Sequence, residues 1–590
     1  MKLLSFWAQR LFFAEMLLIF VFIFTINNYL GNSKTRINAD GIGYYDYLPS
    51  IFIHNDFVKN NIPFYSDSIA FKRIDALDVY KSYDSTKLNK FSCGTALLQL
   101  PFFGYVHLTS TSEGSLEDGY QKPYQDAVFY AALFYLLLTM VFLRKLLLLY
   151  NVDKSVIFII QFFLLFGTSV THYANVDPAY SHVYSLFAIT AFLYFVKSYF
   201  NTKSFNKFLL ASAFLGLIFI LRQINIVILF FIPFIAGSSG VLKEGVLFTL
   251  KHKIMIVTGF CIAMIFVVIQ MYLWYLQTGH YLIYSYQGEG FNFGNPEFLN
   301  VLFSYRKGLF VYTPLLFICL LSSFHFVIKK QYFLFISWFS FFILLTYVIS
   351  SWWAWWYGSS YGMRVYIDFY AVFFIPLALF LMNLKSFLKL LVLIPAFLTI
   401  PLNLIQSYQY KEFILDWTQM DKVKYWKVFL KTENKFKGYL FTEQINEGHF
   451  KTIAELSFGD LTLQENFSGE VVQISSQEIP DLKKVKFIKV IFENNFSMDS
   501  QARVVLTMNN AMGTKNYYWL SKPLLHFAQS FSVDWQEGFY IFPLKPFEDE
   551  TEKVIALEFH NGKELLEIKN LRLKFLVLFN INVGFCILAQ

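Results

Sequence analysis

From Leu11 to about Ile405 the chain is a succession of apolar stretches separated by short polar runs. A helix that crosses a bilayer needs about 20 apolar residues. The stretches predict about eleven spans, at 11–30, 126–149, 155–171, 179–197, 207–221, 224–237, 254–275, 309–328, 332–350, 367–384 and 388–406. Arg222-Gln223-Ile224-Asn225 interrupts the short pair at 207–237, which reads as a tight hairpin or one bent helix. Gly94–Leu108 is apolar but short and holds Pro101, so it is expected as an interfacial or re-entrant helix. Past residue 410 the period changes. Residues 430–575 alternate with period two, as in Val485-Lys486-Phe487-Ile488-Lys489-Val490-Ile491, Arg503-Val504-Val505-Leu506-Thr507 and Leu571-Arg572-Leu573-Lys574-Phe575. Short alternating strands between Asn, Gly and Asp turns predict a β-sandwich. The expected fold is therefore a polytopic α-helical membrane protein with a C-terminal extramembrane β-sandwich-like domain. The expected divisions are 1–406 for the bundle, 407–429 for a linker and 430–590 for the β domain, with 31–125 a large outer loop. The last fifteen residues are apolar but short and carry Asn580 and Asn582, so a terminal strand or docked tail is expected there.

Composition agrees with this reading. The chain is 56% hydrophobic and 15% charged, where soluble domains carry about 25% charged residues. Lysine and arginine mark one side of the predicted bundle: Arg144-Lys145, Lys197 to Lys207, Lys243 to Lys253, Lys329-Lys330 and Lys385 to Lys389. The positive-inside rule puts these loops and the N-terminus in the cytoplasm. Loops 31–125, 172–178, 276–308 and 351–366, with the C-terminal region, then lie outside. Because the basic residues are accounted for in this way, the +8 net charge is no sign of a nucleic-acid partner. Lys2 and Arg10 precede an apolar run with no small-residue cleavage site, so the first helix is read as retained. The four cysteines form no CxxC or Cys/His pattern. A disulfide between Cys93 and Cys586 is compatible with the topology, but free thiols are the expectation.

The candidate chemistry lies at the outer ends of the spans. Asp40, Asp177, Arg222, Arg306 and Arg364 all fall there. A bilayer disfavours ionised groups near its core, so their gathering at one face predicts a site. Two carboxylates, several guanidinium groups and many aromatics suit an anionic lipid phosphate carrying a sugar. Asp40 opens the run Asp40-Gly41-Ile42-Gly43-Tyr44-Tyr45-Asp46. It could take a proton from a hydroxyl, hold a divalent cation together with Asp46, or simply cap a helix Gly41–Ile53. Asp177-Pro178 is a helix-start signal, with His182 a little over one turn on. Arg222 needs an anion, either a phosphate or Asp177. Arg306-Lys307 offers a fork for phosphate or an interfacial snorkel. The loop from Ser350 to Arg364 holds Trp352, Trp353, Trp355 and Trp356. Its flat rings form an interface belt or stack on pyranose rings. No phosphate-cradling glycine loop and no nucleotide-binding βαβ pattern occurs, which argues against a nucleotide-sugar donor.

The collinear order of several motifs resembles a known family. An Asp follows the first helix, and an Asp-Pro sits in the second outer loop. A Trp-Trp-x-Trp-Trp-x-Gly-x-x-x-Gly-x-Arg run lies late in the bundle. Cys93-Gly94-Thr95-Ala96-Leu97-Leu98, Asp118-Gly119-Tyr120 with Pro123-Tyr124-Gln125, and Ser304-Tyr305-Arg306-Lys307-Gly308 also fit. Over about residues 1–406 the chain is similar to bacterial GT-C glycosyltransferases, related to protein O-mannosyltransferases and the lipid A aminoarabinose transferase (family 39 type).

That resemblance implies a multispanning GT-C bundle in the bacterial inner membrane, with its active site and C-terminal domain on the periplasmic side. It implies a polyprenyl-phosphate sugar donor and inverting transfer to a hydroxyl of a lipid, glycan or protein acceptor. Asp40 would be the base or acceptor-orienting acid, supported by Asp177. Arg222, Arg306, Lys307, Arg364 and His182 would hold the donor phosphate. Tyr44, Tyr45 and the tryptophans would line the sugar site. Many relatives carry two adjacent acids where this chain has Asp40-Gly41, which leaves a divalent cation an open question. Transfer of a whole lipid-linked oligosaccharide is the alternative enzyme. A lipid-glycan flippase is the alternative outside enzymes, although no internal repeat supports it.

Overall fold

The computed structural model describes all but residues 1, 31–35, 56–78, 84–85, 110–118, 434–435, 438–439, 441–449, 495–501, 512–515, 525–535, 545–551, 562–564 and 579–590. Cys586, Asp118 and most of the C-terminal tail discussed above therefore lie outside the described residues. The chain divides into two compact units: Met1–Lys411 with Trp417–Tyr425, and Glu412–Asp416 with Trp426–Gln590.

The first unit is helical. Among the described residues, six of its helices are long and apolar enough to cross a membrane: Lys122–Leu148, His182–Thr202, Lys253–Thr278, Tyr332–Ser350, Arg364–Asn383 and Ser386–Lys411. A bent pair, Gln223–Ala236 with Ser239–Lys251, makes a seventh if it is one span. The remaining predicted spans fall on the 28-residue helix Lys2–Tyr29 and on shorter or broken helices. Lys2–Tyr29 contains the 12–26 apolar stretch, Lys154–Phe166 stops at Gly167, and 309–328 breaks into Leu309–Tyr312, Leu315–Ser322 and His325–Ile328. Pro314 lies between the first two of these, where a proline disfavours continued helix in the residue before it. His182–Thr202 is the central helix, with 89% of its apolar window buried. Lys253–Thr278 and Ser386–Lys411 are only 17% buried, leaving their apolar surface for lipid.

Two expectations are corrected. Lys243 to Lys253 is not a simple loop. Ser239–Lys251 is a helix capped by Ser238, bent 119° from the segment before it. The Asp177-Pro178 pair does not open a helix either. Residues 177–181 form turns, and the helix starts at His182.

The second unit is a sandwich of two antiparallel four-stranded sheets. One has the order β1 (Phe450–Leu463), β8 (Leu566–Leu578), β3 (Val485–Asn494), β6 (Gln536–Pro543). The other has the order β2 (Ser468–Ser475), β7 (Lys553–His560), β4 (Arg503–Asn510), β5 (Asn516–Pro523). The period-two pattern explains the core. Ile488, Val490 and Phe492 point inward from β3, and Val504, Leu506 and Met508 from β4, all nearly fully buried.

Candidate functional site

Asp40 is the first residue of a short helix, Asp40–Tyr45, and Tyr47–Phe52 forms a second. The residue before it, Ala39, has φ 45° and makes no side-chain cap. A left-handed alanine is strained, and such strain tends to mark functional turns. The helix-cap reading of Asp40 thus fails. Its carboxylate instead pairs with Nη2 of Arg364. Gly41 makes this placement possible, because a Cβ there would come within 2.7 Å of Ala179 Cβ. The segments around Asp40 and Asp177 therefore touch directly, through Gly41 and Ala179.

Arg364 begins a 3-10 turn, Arg364–Phe369, that leads into Tyr370–Asn383. Its guanidinium lies 4.9 Å from the Tyr180 ring centroid, a favourable cation–π placement. Its Nη1 is buried with no hydrogen-bond partner among the described residues. Asp40 keeps 33% of its side chain exposed, and Arg364 keeps 10%. Burial pushes the Asp40 carboxyl up, but Arg364 and then Lys90 more than offset this, so it sits below the ordinary carboxylate value. Asp40 is accordingly an ionised carboxylate at neutral pH.

The same 3-10 turn carries a second acid that the sequence reading missed. Asp368 is fully buried, and three groups donate to it: His182 Nδ1 at 2.7 Å, Arg222 Nη1 at 3.1 Å and Asn225 Nδ2 at 2.8 Å. Arg222 is extended at the end of Phe205–Leu221, where the predicted break occurs. Gly94 packs on the backbone of Ile220 and Leu221, with a would-be Cβ 2.6 Å away, and so holds the break against the start of the helix Gly94–Thr109. Asp177, expected as Arg222's alternative partner, instead accepts from His172 Nε2 at 3.1 Å.

Around these charges stand Tyr44, Tyr180 and Tyr286. Burial raises the Tyr180 and Tyr286 phenols well above the usual value, so they remain neutral hydroxyls. Asp177 and Asp40 both act electrostatically on Tyr180, so it lies near both acids. Tyr286 stands edge-on to Trp352, with ring centroids 5.8 Å apart. The loop that carries Tyr286 is tied to the tryptophan loop through Asn292 N to Ser351 O (2.6 Å) and Trp353 N to Gly290 O (3.0 Å). Its Glu289 accepts from Lys81, Lys90 and Trp353 Nε1.

The structure thus gathers Asp40, Tyr44, Asp177, His182, Arg222 and Arg364, and adds Asp368, Tyr180, Tyr286 and Lys90. Other candidates sit in different surroundings. Arg306 stacks 3.8 Å over Trp356, near Trp355, and donates to Thr418 O at 2.6 Å. Lys307 donates to Ser360 O and to Trp417 O. Tyr45 donates to Gly119 O. Asp46 accepts from Ser50, Tyr80 and Tyr120 hydroxyls. Among the described residues no three His, Cys, Asp or Glu side chains gather as a metal-binding group. A cavity of about 390 Å³ is lined by Phe298, Phe339, Ser340, Ile343, Leu344 and Tyr347, and by none of the candidate residues.

No family's sequence model matches the chain, and no curated protein matches it. The solved structures that share a likeness of fold include two glycosyl-transferring enzymes. One is the Archaeoglobus fulgidus oligosaccharyltransferase, at 12% identity and TM-score 0.39, covering 71% of this chain and 60% of that one. The other is the arabinosyltransferase EmbB from Mycobacterium smegmatis, at 8% identity and TM-score 0.33, covering 96% of this chain and 64% of that one. The chain thus spans less than two thirds of the length of either. Both TM-scores are below 0.5, and neither likeness assigns a function.

Proposed function

We propose that the protein is a multi-pass membrane glycosyltransferase. It moves a sugar from a polyprenyl-phosphate donor to a hydroxyl of a lipid, glycan or protein acceptor at the outer face of the membrane. One observation carries this reading: a part-open carboxylate, Asp40, lies against an arginine whose second terminal nitrogen is buried and unpaired. An unsatisfied buried guanidinium nitrogen is costly and suits an anion. The donor phosphate is assigned to Arg364 and Arg222. Arg306 and Lys307 already donate to the carbonyls of residues 417, 418 and 360.

In the transfer, the acceptor oxygen bonds to the anomeric carbon as the carbon–oxygen bond to phosphate breaks. The electron pair leaves with the phosphate, which the arginines stabilise. The hydroxyl proton passes to Asp40. A phosphate seated on Arg364 shares that cation's charge, so Asp40 becomes more basic once the donor is bound. Tyr44, Tyr180 and Tyr286 supply neutral hydroxyls and flat faces for the sugar.

The test is Asp40→Asn in purified protein, with synthetic prenyl-phosphate sugars as donors. Transfer is expected to fall by about 10²–10⁴-fold, while donor lipid still co-purifies and the unfolding temperature falls only slightly. Activity within a few-fold of wild type overturns the assignment of Asp40.

A further inference from the structure

We infer that Asp368 is a positioning residue of the site, acting chiefly by fixing the state of His182. It makes no contact with substrate itself, because its side chain is fully buried. It lies instead where three elements meet: the start of His182–Thr202, the break at 222–225, and the 3-10 turn that also bears Arg364.

The geometry sets the hydrogen positions. A carboxylate only accepts, so His182 Nδ1, 2.7 Å from Asp368 Oδ1, carries the hydrogen. In the neutral ring Nε2 then holds a lone pair. No hydrogen bond to that nitrogen occurs among the described residues. The ring packs edge-on to Tyr173 at 5.3 Å and stacks on Tyr180 at 6.2 Å. Tyr180 is the residue whose ring lies under Arg364 and feels the charges of Asp40 and Asp177. His182 is also close enough to Asp40 to act on its charge. Asp368 therefore leaves His182 with a bare acceptor nitrogen beside the proposed donor and acceptor sites. Arg222 is held by one nitrogen, Nη1, and its side chain retains 15% exposure. One carboxylate thus orients a hydrogen-bond acceptor for a sugar or acceptor hydroxyl and a cation for the phosphate.

Two facts separate this from ordinary packing. A single buried arginine would need only a single acid, yet Asp368 also takes the imidazole and an amide, using both oxygens. Asp368 and the Asp40 clamp are also one turn apart on the same 3-10 segment, so a shift of one moves the other.

The experiment has two arms, and only the kinetic arm rests on the proposed transfer reaction. In the first arm, the His182 ring nitrogens are read by ¹⁵N NMR in full-length protein in lipid, with the resonance assigned by its loss in His182→Asn. The expected state is Nδ1–H with bare Nε2 in wild type, and a shift towards Nε2–H in Asp368→Asn. An Nε2–H ring in wild type overturns the inference, whether or not Asp368→Asn folds. In the second arm, Asp368→Asn is expected to slow transfer on the order of 10²-fold, and His182→Asn to do likewise. The double variant should be no slower than the slower single. Losses that multiply overturn the inference. Absence of transfer by wild type from any prenyl-phosphate sugar would instead fall on the proposed function, with the first arm still deciding the role of Asp368.

Discussion

The 3-10 turn Arg364–Phe369 carries two ion pairs that differ in their access to solvent and in the hydrogen bonds they leave unmade. At its start Arg364 holds Asp40, which stays 33% exposed. Near its end Asp368, with no exposure, is held by Arg222 and His182. Both pairs join an aspartate to an arginine, yet the physics gives them different work. A sealed carboxylate with three donors has no room for another partner, so it serves as framework. A part-open carboxylate beside an arginine with a nitrogen to spare can exchange partners, so it can take part in chemistry. Ion pairing alone does not mark a functional acid. Exposure and the number of bonds left over do.

The contrast is most easily broken from the sealed side. Arg222→Ala strips the main countercharge from a fully buried Asp368, and removing one partner of a buried pair costs about 3–5 kcal/mol. A large drop in the unfolding midpoint in detergent is expected. A drop under about 1 kcal/mol would show that His182 and Asn225 suffice to hold Asp368.

Arg364→Ala should do the reverse. Asp40 can turn to solvent, so stability should change by less than about 1 kcal/mol, as for an exposed pair. Binding of a prenyl-phosphate sugar should weaken by about 1.5–3 kcal/mol, the worth of a charge-assisted bond. Titration of the lipid against purified protein measures this. Unchanged affinity would move the phosphate to Arg222.

The smallest effect is expected with pH. The Asp40 carboxyl is lowered in the folded protein, chiefly because Arg364 and Lys90 outweigh burial. Its pairing therefore contributes stability above the unfolded value of about 3.9, and loses it as pH falls through the lower folded value. The gap in unfolding temperature between wild type and Asp40→Asn should narrow on acidification from pH 5 to pH 3. A gap independent of pH would mean that Asp40 contributes nothing through its charge.

Much of this was legible in the sequence, for reasons that can be traced. Arg222 to Asn225 is a polar run inside apolar sequence, and the helix does end at Leu221. The alternating segments at 485–491, 503–507 and 571–575 all lie in strands. Asp40 and Arg364 were singled out separately, but nothing in sequence spacing joins residues 324 positions apart. Asp368 was missed because it sits inside an apolar run and was absorbed into the predicted span 367–384. A lone acid in a span is itself a signal that calls for a partner, and applying that rule would have offered Arg222 a second candidate beside Asp177. The tryptophan loop divides for a reason that sequence conceals. Trp352 meets Tyr286, whereas Trp355 and Trp356 cover Arg306.

Glu15 of the first helix is fully buried, is ion-paired with Arg144, whose Nε lies 3.0 Å away, and accepts from Gln161 Nε2 at 2.7 Å. This contact has a consequence for how the protein is made. An acid in mid-helix costs about 2.5–3.5 kcal/mol on insertion scales, and its countercharge is translated only after residues 31–121. The first helix is therefore expected to settle fully only once Lys122–Leu148 has been made, so one pair of charges sets an order of assembly within the bundle.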